Sequence, residues 1–214
     1  MHRTRGGTHV NHPIITAIEE RRTVTRFDAD KQLSDEEIRE LVGLAGRAPS
    51  SFNLQNWRAI AVRSPEAKAR LRPIAWDQPK ITEAAVTFIF VGVLADHETM
   101  SDRLAPAVQQ GIMPAEVAAG WKAAAEKLYF EQEWRARDEA VRSATFAAGH
   151  MIFAAHANGL GAGPMIGFDA DAVSEEFGLA PNEIPVLLLA VGQPGEGNWP
   201  QKPRRPVSET VEFV

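Results

Sequence analysis

Four short stretches of this sequence carry side chains that can do chemistry. RRTVTRF, Arg21 to Phe27, sets Arg21 and Arg22 beside the Thr23 hydroxyl. Guanidiniums next to a hydroxyl can grip a phosphate through charge-assisted hydrogen bonds. APSSFNLQNW, Ala48 to Trp57, crowds two serines, two asparagines and a glutamine into one loop. Such side chains offer donors and acceptors together, as a heterocycle edge or a polyol chain requires. GAGPMIGFDA, Gly161 to Ala170, is glycine-rich, so its backbone can approach a flat ligand and present N–H groups to it. KPRR, Lys202 to Arg205, adds cations in a proline-rich segment. Each stretch also has an ordinary reading: a solvated helix end, a capped turn, a helix stop, a solvated basic patch.

Other chemistries are missing. The chain has no cysteine, which excludes disulfides, thiolate metal sites and a cysteine nucleophile. It has no GxSxG elbow and no Walker A sequence. His9 and His12 are the one histidine pair at short spacing, in a polar N-terminus. His150 and His156 are six apart and point to different faces of a helix, which argues against a shared metal. GLGAGP, 159–164, follows a helix rather than a strand, and Pro164 ends the spacing, so it is no dinucleotide fingerprint. An enzyme without acid/base or nucleophile motifs can borrow its chemistry from a cofactor.

The elements that must position these stretches are readable in part. At 214 residues, 44% hydrophobic and 24% charged, the chain is a globular protein with one core. A net charge of −5 with no long basic block speaks against nucleic-acid binding. The most apolar run, Val86 to Ala95, is about half the roughly 20 residues a membrane span needs. The polar N-terminus lacks the apolar stretch of a signal peptide, and residues 1–12 read as a flexible tail. A cysteine-free chain fits a reducing cytoplasm.

Pro13 opens a first helix, with Ile14, Ile15 and Ile18 as its stripe. Ser34 and Glu37 have capping-box spacing ahead of Ile38, Leu41, Val42 and Ala45. Trp57 to Val62, Val86 to Leu94 and Pro185 to Gly192 read as strands, the last two fully buried. Helices are expected at 65–74, 115–133, 136–158 and 171–177. The helix over 136–158 is apolar nearly all round and rich in small residues, which suggests the central core or a subunit interface. Gly159, Gly161 and Gly163 are expected to end it. Four prolines after 193 predict an extended arm. Buried strands separated by helices make one α/β or α+β domain.

Taken in order, RRT, PSSFNLQNW, WDQPK, PMIGF and KPR resemble the nitroreductase family of FMN-dependent oxidoreductases, from about residue 13 to the C-terminus. The resemblance implies an α+β fold: a helix-rich, three-layer α-β-α domain with a central, mostly antiparallel sheet. It implies a single domain over 13–214 and FMN at a homodimer interface. Arg21, Arg22 and Thr23 would meet the phosphate and ribityl chain, and Lys202 and Arg204 would complete the clamp. Pro49, Ser50, Ser51, Asn53 and Gln55 would reach the same flavin from the partner. Asp77 and Lys80 would lie near the pyrimidine edge, and Pro164, Met165, Ile166 and Gly167 along the ring.

The same resemblance implies ping-pong hydride transfer from NAD(P)H to a small acceptor such as a nitroaromatic or quinone. Residues 97–138 would cover the pocket. There Trp121, Tyr129, Phe130 and Trp134 either stack on a planar acceptor or pack as an amphipathic helix. Thr25 stands where many members carry a basic residue, leaving Arg26 or Lys80 to supply the charge. Ile166 stands where some members carry a glutamate. Alternatives are a flavin-fragmenting enzyme, a reductive dehalogenase using Glu126, Lys127 and Tyr129, and a non-catalytic FMN-binding module.

Overall fold

The computed structural model describes residues 12–214. Of the tail expected over 1–12, all but His12 lies outside the described residues, His9 included. His12 caps helix α1 (Pro13–Glu20), its Nδ1 accepting from the Ile14 N–H at 3.3 Å.

Helix α2 (Asp35–Ala45) starts at the predicted capping box. The Ser34 N–H donates to Glu37 Oε2 at 2.7 Å, and the Glu37 N–H donates to Ser34 Oγ at 3.2 Å. A short 3₁₀ turn (Ser51–Asn53) leads to strand β1 (Trp57–Val62). Helices α3 (Pro65–Ile74) and α4 (Lys80–Glu83) precede β2 (Val86–Val93). Then come α5 (Met100–Gln109), α6 (Ala115–Tyr129), α7 (Glu133–Ala157), β3 (Gly161–Met165), α8 (Ala170–Glu176) and β4 (Glu183–Gly192).

The sheet runs β1-β2-β4-β3 with every neighbouring pair antiparallel. Strand β2 explains the layering. Val86, Phe88 and Phe90 face one core with α2 and α7, while Ile89 and Val91 face another with α3, α4 and α8. Alternation along a strand buried on both faces produces this split. The result is the expected three-layer α-β-α sandwich. A third, smaller cluster of Leu54, Met100, Leu104, Ala125 and Tyr129 joins α5 and α6 to the loop before β1.

Four expectations need correction. Gly161 and Gly163 do not end a helix; they belong to β3, paired with the second half of β4. Residues 97–132 hold two helices, α5 and α6, where one was expected from Ala115 to Glu133, and α6 ends at Tyr129. Glu131, at φ 53, turns the chain directly into α7, which begins at Glu133. Strand β4 is buried only from Leu188 onward, because β3 covers only Leu188–Gly192.

Within one chain α7 is not buried all round. Ala140, Ala144, Ala147, Met151 and Ala155 pack into the sandwich, but Phe146 is 52% and Phe153 38% exposed. On α1, Ile14, Ile15 and Ile18 are exposed as well. No helix among the described residues is long and apolar enough to cross a membrane.

Candidate cofactor site

The segment after α1 lies directly across β3. Thr23 bridges Ala162 in parallel, and the Val24 N–H donates to the Ala162 carbonyl at 3.0 Å. Only glycine permits this approach: a Cβ on Gly163 would stand 2.3 Å from the Val24 carbonyl oxygen. The space these glycines leave is therefore filled by the chain itself, not by a flat ligand. Phe27 then bridges Pro194 antiparallel, which fixes the start of the C-terminal arm.

Asn198 completes that junction. Its Oδ1 accepts from the Thr25 and Arg26 N–H groups at 2.8 and 3.1 Å. Its Nδ2 donates to the Arg26 and Gly195 carbonyls at 2.8 and 2.9 Å. The arm turns at Gly197, φ 78, and passes in front of Thr23. Thr23, Thr25, Trp199, Gln201, Lys202 and Arg204 thereby line one cavity of about 160 Å³. The Lys202 ammonium sits 5.1 Å from the Trp199 ring centre. Arg204 donates to the Lys202 carbonyl and to Gln201 Oε1 at 3.0 and 3.3 Å. Two cations and two hydroxyls from opposite ends of the polypeptide converge there, a donor set suited to an anion.

Not every predicted clamp residue joins them. Arg21 and Arg22 line a different cavity of about 450 Å³, with Glu20, Ile152 and His156. The Arg26 guanidinium lies over Gly197, within the arm's turn. Lys80, in contrast, opens α4 with its stem against Gly163, and burial lowers the pKa of its ammonium. Of the two candidates for the missing charge, Lys80 is the one beside β3.

The WDQPK and PMIGF segments meet next to it. Trp76 and Asp77 take left-handed backbone at φ 52 and 54. The Trp76 ring packs on Gly167, where a Cβ would come within 2.9 Å of it. Gln78 Nε2 donates to the Gly167 carbonyl at 2.8 Å, pinning the two loops. Asp77 is exposed, and Ile166 is 84% exposed. Among the described residues, the Ile166 and Gly167 N–H groups have no protein acceptor. Met165 departs from expectation: its side chain is buried with Val173 and Leu188 in the core, so only Pro164, Ile166 and Gly167 present surface.

The loop at 49–55 lies at the other end of the molecule. Phe52, Asn53 and Gln55 have positive φ, and Ser50 Oγ accepts from the Gln55 N–H at 2.9 Å. Ser51 touches Glu139 near the start of α7, whereas the Arg21 cavity touches His156 near its end. These two positions are about 25 Å apart along the helix axis, at about 1.5 Å per residue. One chain alone does not bring the two halves together. The cover region packs on the 49–55 loop: Phe52 meets Trp121 and Tyr129 edge-on, at 6.1 and 6.4 Å between ring centres. Phe130 and Trp134 are exposed. Glu126 and Lys127 are exposed while Tyr129 is buried, so these three do not form one ligand-facing set.

Asn198, Gln78 and Glu139 escaped the sequence reading. Asn198 follows a Gly-Glu-Gly turn, and that polar turn was the one available signal. Replacing Asn198 by alanine removes four hydrogen bonds across this junction and is expected to lower stability by about 1–3 kcal/mol. Chemical denaturation measures it. Unchanged stability would mean that the arm seats itself without this amide.

A sequence profile of the nitroreductase family matches residues 18–193. An NADH dehydrogenase of Thermus thermophilus is 31% identical over 202 residues, covering 92% of this chain and 93% of its own. Protein DrgA of Synechocystis is 34% identical over 177 residues, covering 83% of this chain and 82% of its own. An Exiguobacterium sibiricum protein assigned to the nitroreductases, solved in complex with FMN, superposes with a TM-score of 0.86 at 25% identity. That match covers 95% of this chain and 98% of the other.

Proposed function

We propose, from the premise that this chain belongs to the nitroreductase family, that it passes hydride from NAD(P)H to a small planar acceptor through bound FMN. The chain is an FMN-dependent NAD(P)H oxidoreductase. The observation that carries the proposal is the single cavity shared by Thr23, Lys202 and Arg204. Its donors fit a phosphate, and the free N–H groups at Ile166 and Gly167 fit the polar edge of a flat ring. FMN, when bound, supplies a ring that accepts hydride at N5 and hands it on in a ping-pong cycle.

The chain's own residues do the rest. Lys202, Arg204 and Thr23 would hold the phosphate, while Arg21 and Arg22 face the separate cavity beside Ile152 and His156. Lys80 and Asp77 would address the pyrimidine edge, where the cation would stabilise the negative charge of a reduced ring. Pro164, Met165, Ile166 and Gly167 would lie along the ring, Met165 through its backbone alone. The N–H groups of Ile166 and Gly167 would be its donors. Ile166 leaves an apolar approach for nitroaromatic or quinone acceptors.

The second half of each site comes from a second copy. In a homodimer packed through the exposed faces of α1 and α7, antiparallel α7 helices carry Pro49, Ser50, Ser51, Asn53 and Gln55 of one chain to the other's clamp. The two-chain arrangement accounts for the separation of the halves and for the exposed Phe146, Phe153 and Ile18. A reducing cytoplasm is the setting that fits a cysteine-free chain.

Anaerobic addition of NADH or NADPH to the FMN-loaded protein is expected to bleach the visible flavin bands. A quinone or nitroaromatic should restore them. Bands that persist with both nicotinamides would leave a flavin binder without this activity.

A further inference from the structure

A buried polar chain ties α6 to the turn at residues 50–53. The Tyr129 hydroxyl, at the last residue of α6, donates to Ser51 Oγ at 3.0 Å. The Ser51 N–H donates to Glu139 Oε1 at 3.4 Å. Glu139 is itself 7% exposed, and it accepts from Arg142 Nε at 3.1 Å and from the Ser143 hydroxyl at 3.5 Å. Phe52 and Asn53, at φ 50 and 56, hold left-handed backbone that side-chain-bearing residues keep only where their surroundings enforce it. Trp121 and Tyr129 enforce it here by clasping the Phe52 ring.

Burial pushes the Tyr129 pKa up, the bond to Ser51 lowers it, and the charge of Glu139 and a hydrogen bond to it raise it. The Tyr129 hydroxyl thus sits between the Ser51 hydroxyl and the Glu139 carboxylate, and holds both to the end of α6.

We infer that Tyr129 is a positioning residue: its bond fixes the Ser51 side chain in the turn that reaches the flavin bound by the partner copy, and so couples the seating of α6 to that contact. This rests on the reading of the 49–55 loop given above. The coupling joins the packing of α6 to the placement of the turn at residues 50–53 through one hydrogen bond. Tyr129 is the only tyrosine in the chain, so no neighbouring phenol can stand in for it.

The test is a double-mutant cycle on FMN binding, with Tyr129→Phe, Ser51→Ala and the pair together. The phenylalanine variant keeps the ring that clasps Phe52 and removes only the oxygen. Each single change is expected to raise the Kd for FMN about fivefold, the scale of one hydrogen bond, and to shift the visible bands of bound FMN. The double variant should bind no more weakly than Ser51→Ala alone, because Tyr129 acts through Ser51. A purely structural tyrosine would instead give multiplying losses and unshifted bands. Wild-type affinity and spectrum in Tyr129→Phe would overturn the inference while leaving the proposed function standing. A wild-type protein that takes up no FMN would overturn both.

Discussion

Removing Lys202 and Arg204 together, as the double alanine variant, is expected to weaken FMN binding by about a hundred- to a thousandfold. Each cation can make a charge-assisted hydrogen bond to phosphate, and on an exposed arm such bonds contribute about 1.5–2 kcal/mol apiece, the low end of their range. Both side chains are exposed on the arm and neither packs into a core, so the fold has little reason to change. Thermal melting of the flavin-free protein should therefore match wild type within a degree or two, while equilibrium titration with FMN shows the loss. The single variants should each account for part of it. An affinity within threefold of wild type would refute the assignment of this cavity to phosphate.

The second large effect is expected from charge on the exposed face of α7. Phe146→Glu with Phe153→Glu places two carboxylates per chain on the surface assigned to the second copy. An unpaired charge at the dry centre of an interface costs several kcal/mol, so association should weaken by more than about a thousandfold. Light scattering should then report a monomer at micromolar concentration. The flavin should leave with the partner, because the 49–55 loop of the same chain lies too far along α7 to replace it. A monomeric variant that still binds FMN at wild-type strength would break the link between dimer and site.

Some of this architecture was legible because its signals are local. The Ser34–Glu37 box needs only three residues of spacing, and its hydrogen bonds lie where the spacing puts them. The apolar runs that become β2 and the second half of β4 are dictated by burial on both faces. Strand β3 was not legible, because Gly-Ala-Gly-Pro-Met has almost no intrinsic preference for a strand. It pairs because β4 and the 21–25 segment flank it, and neither fact is local. Helix α5 hid behind Pro106 and a polar composition. The meeting of Thr23 with Lys202 and Arg204 in one cavity could be anticipated from the family resemblance, but the diversion of Arg21 and Arg22 to another cavity could not. Side-chain direction there depends on which residues of the 21–25 segment face β3. The roles of Asn198 and Tyr129 depend on contacts across more than 70 residues of chain, which no spacing records.

The proposed division of each site between the two ends of α7 has a genetic corollary. Damage to the arm and damage to the 49–55 loop fall on different halves. Two inactive alleles, one of each kind, would assemble into mixed pairs in which one site inherits both defects and the other inherits neither. Such pairs would recover half of the native turnover from chains that are silent on their own.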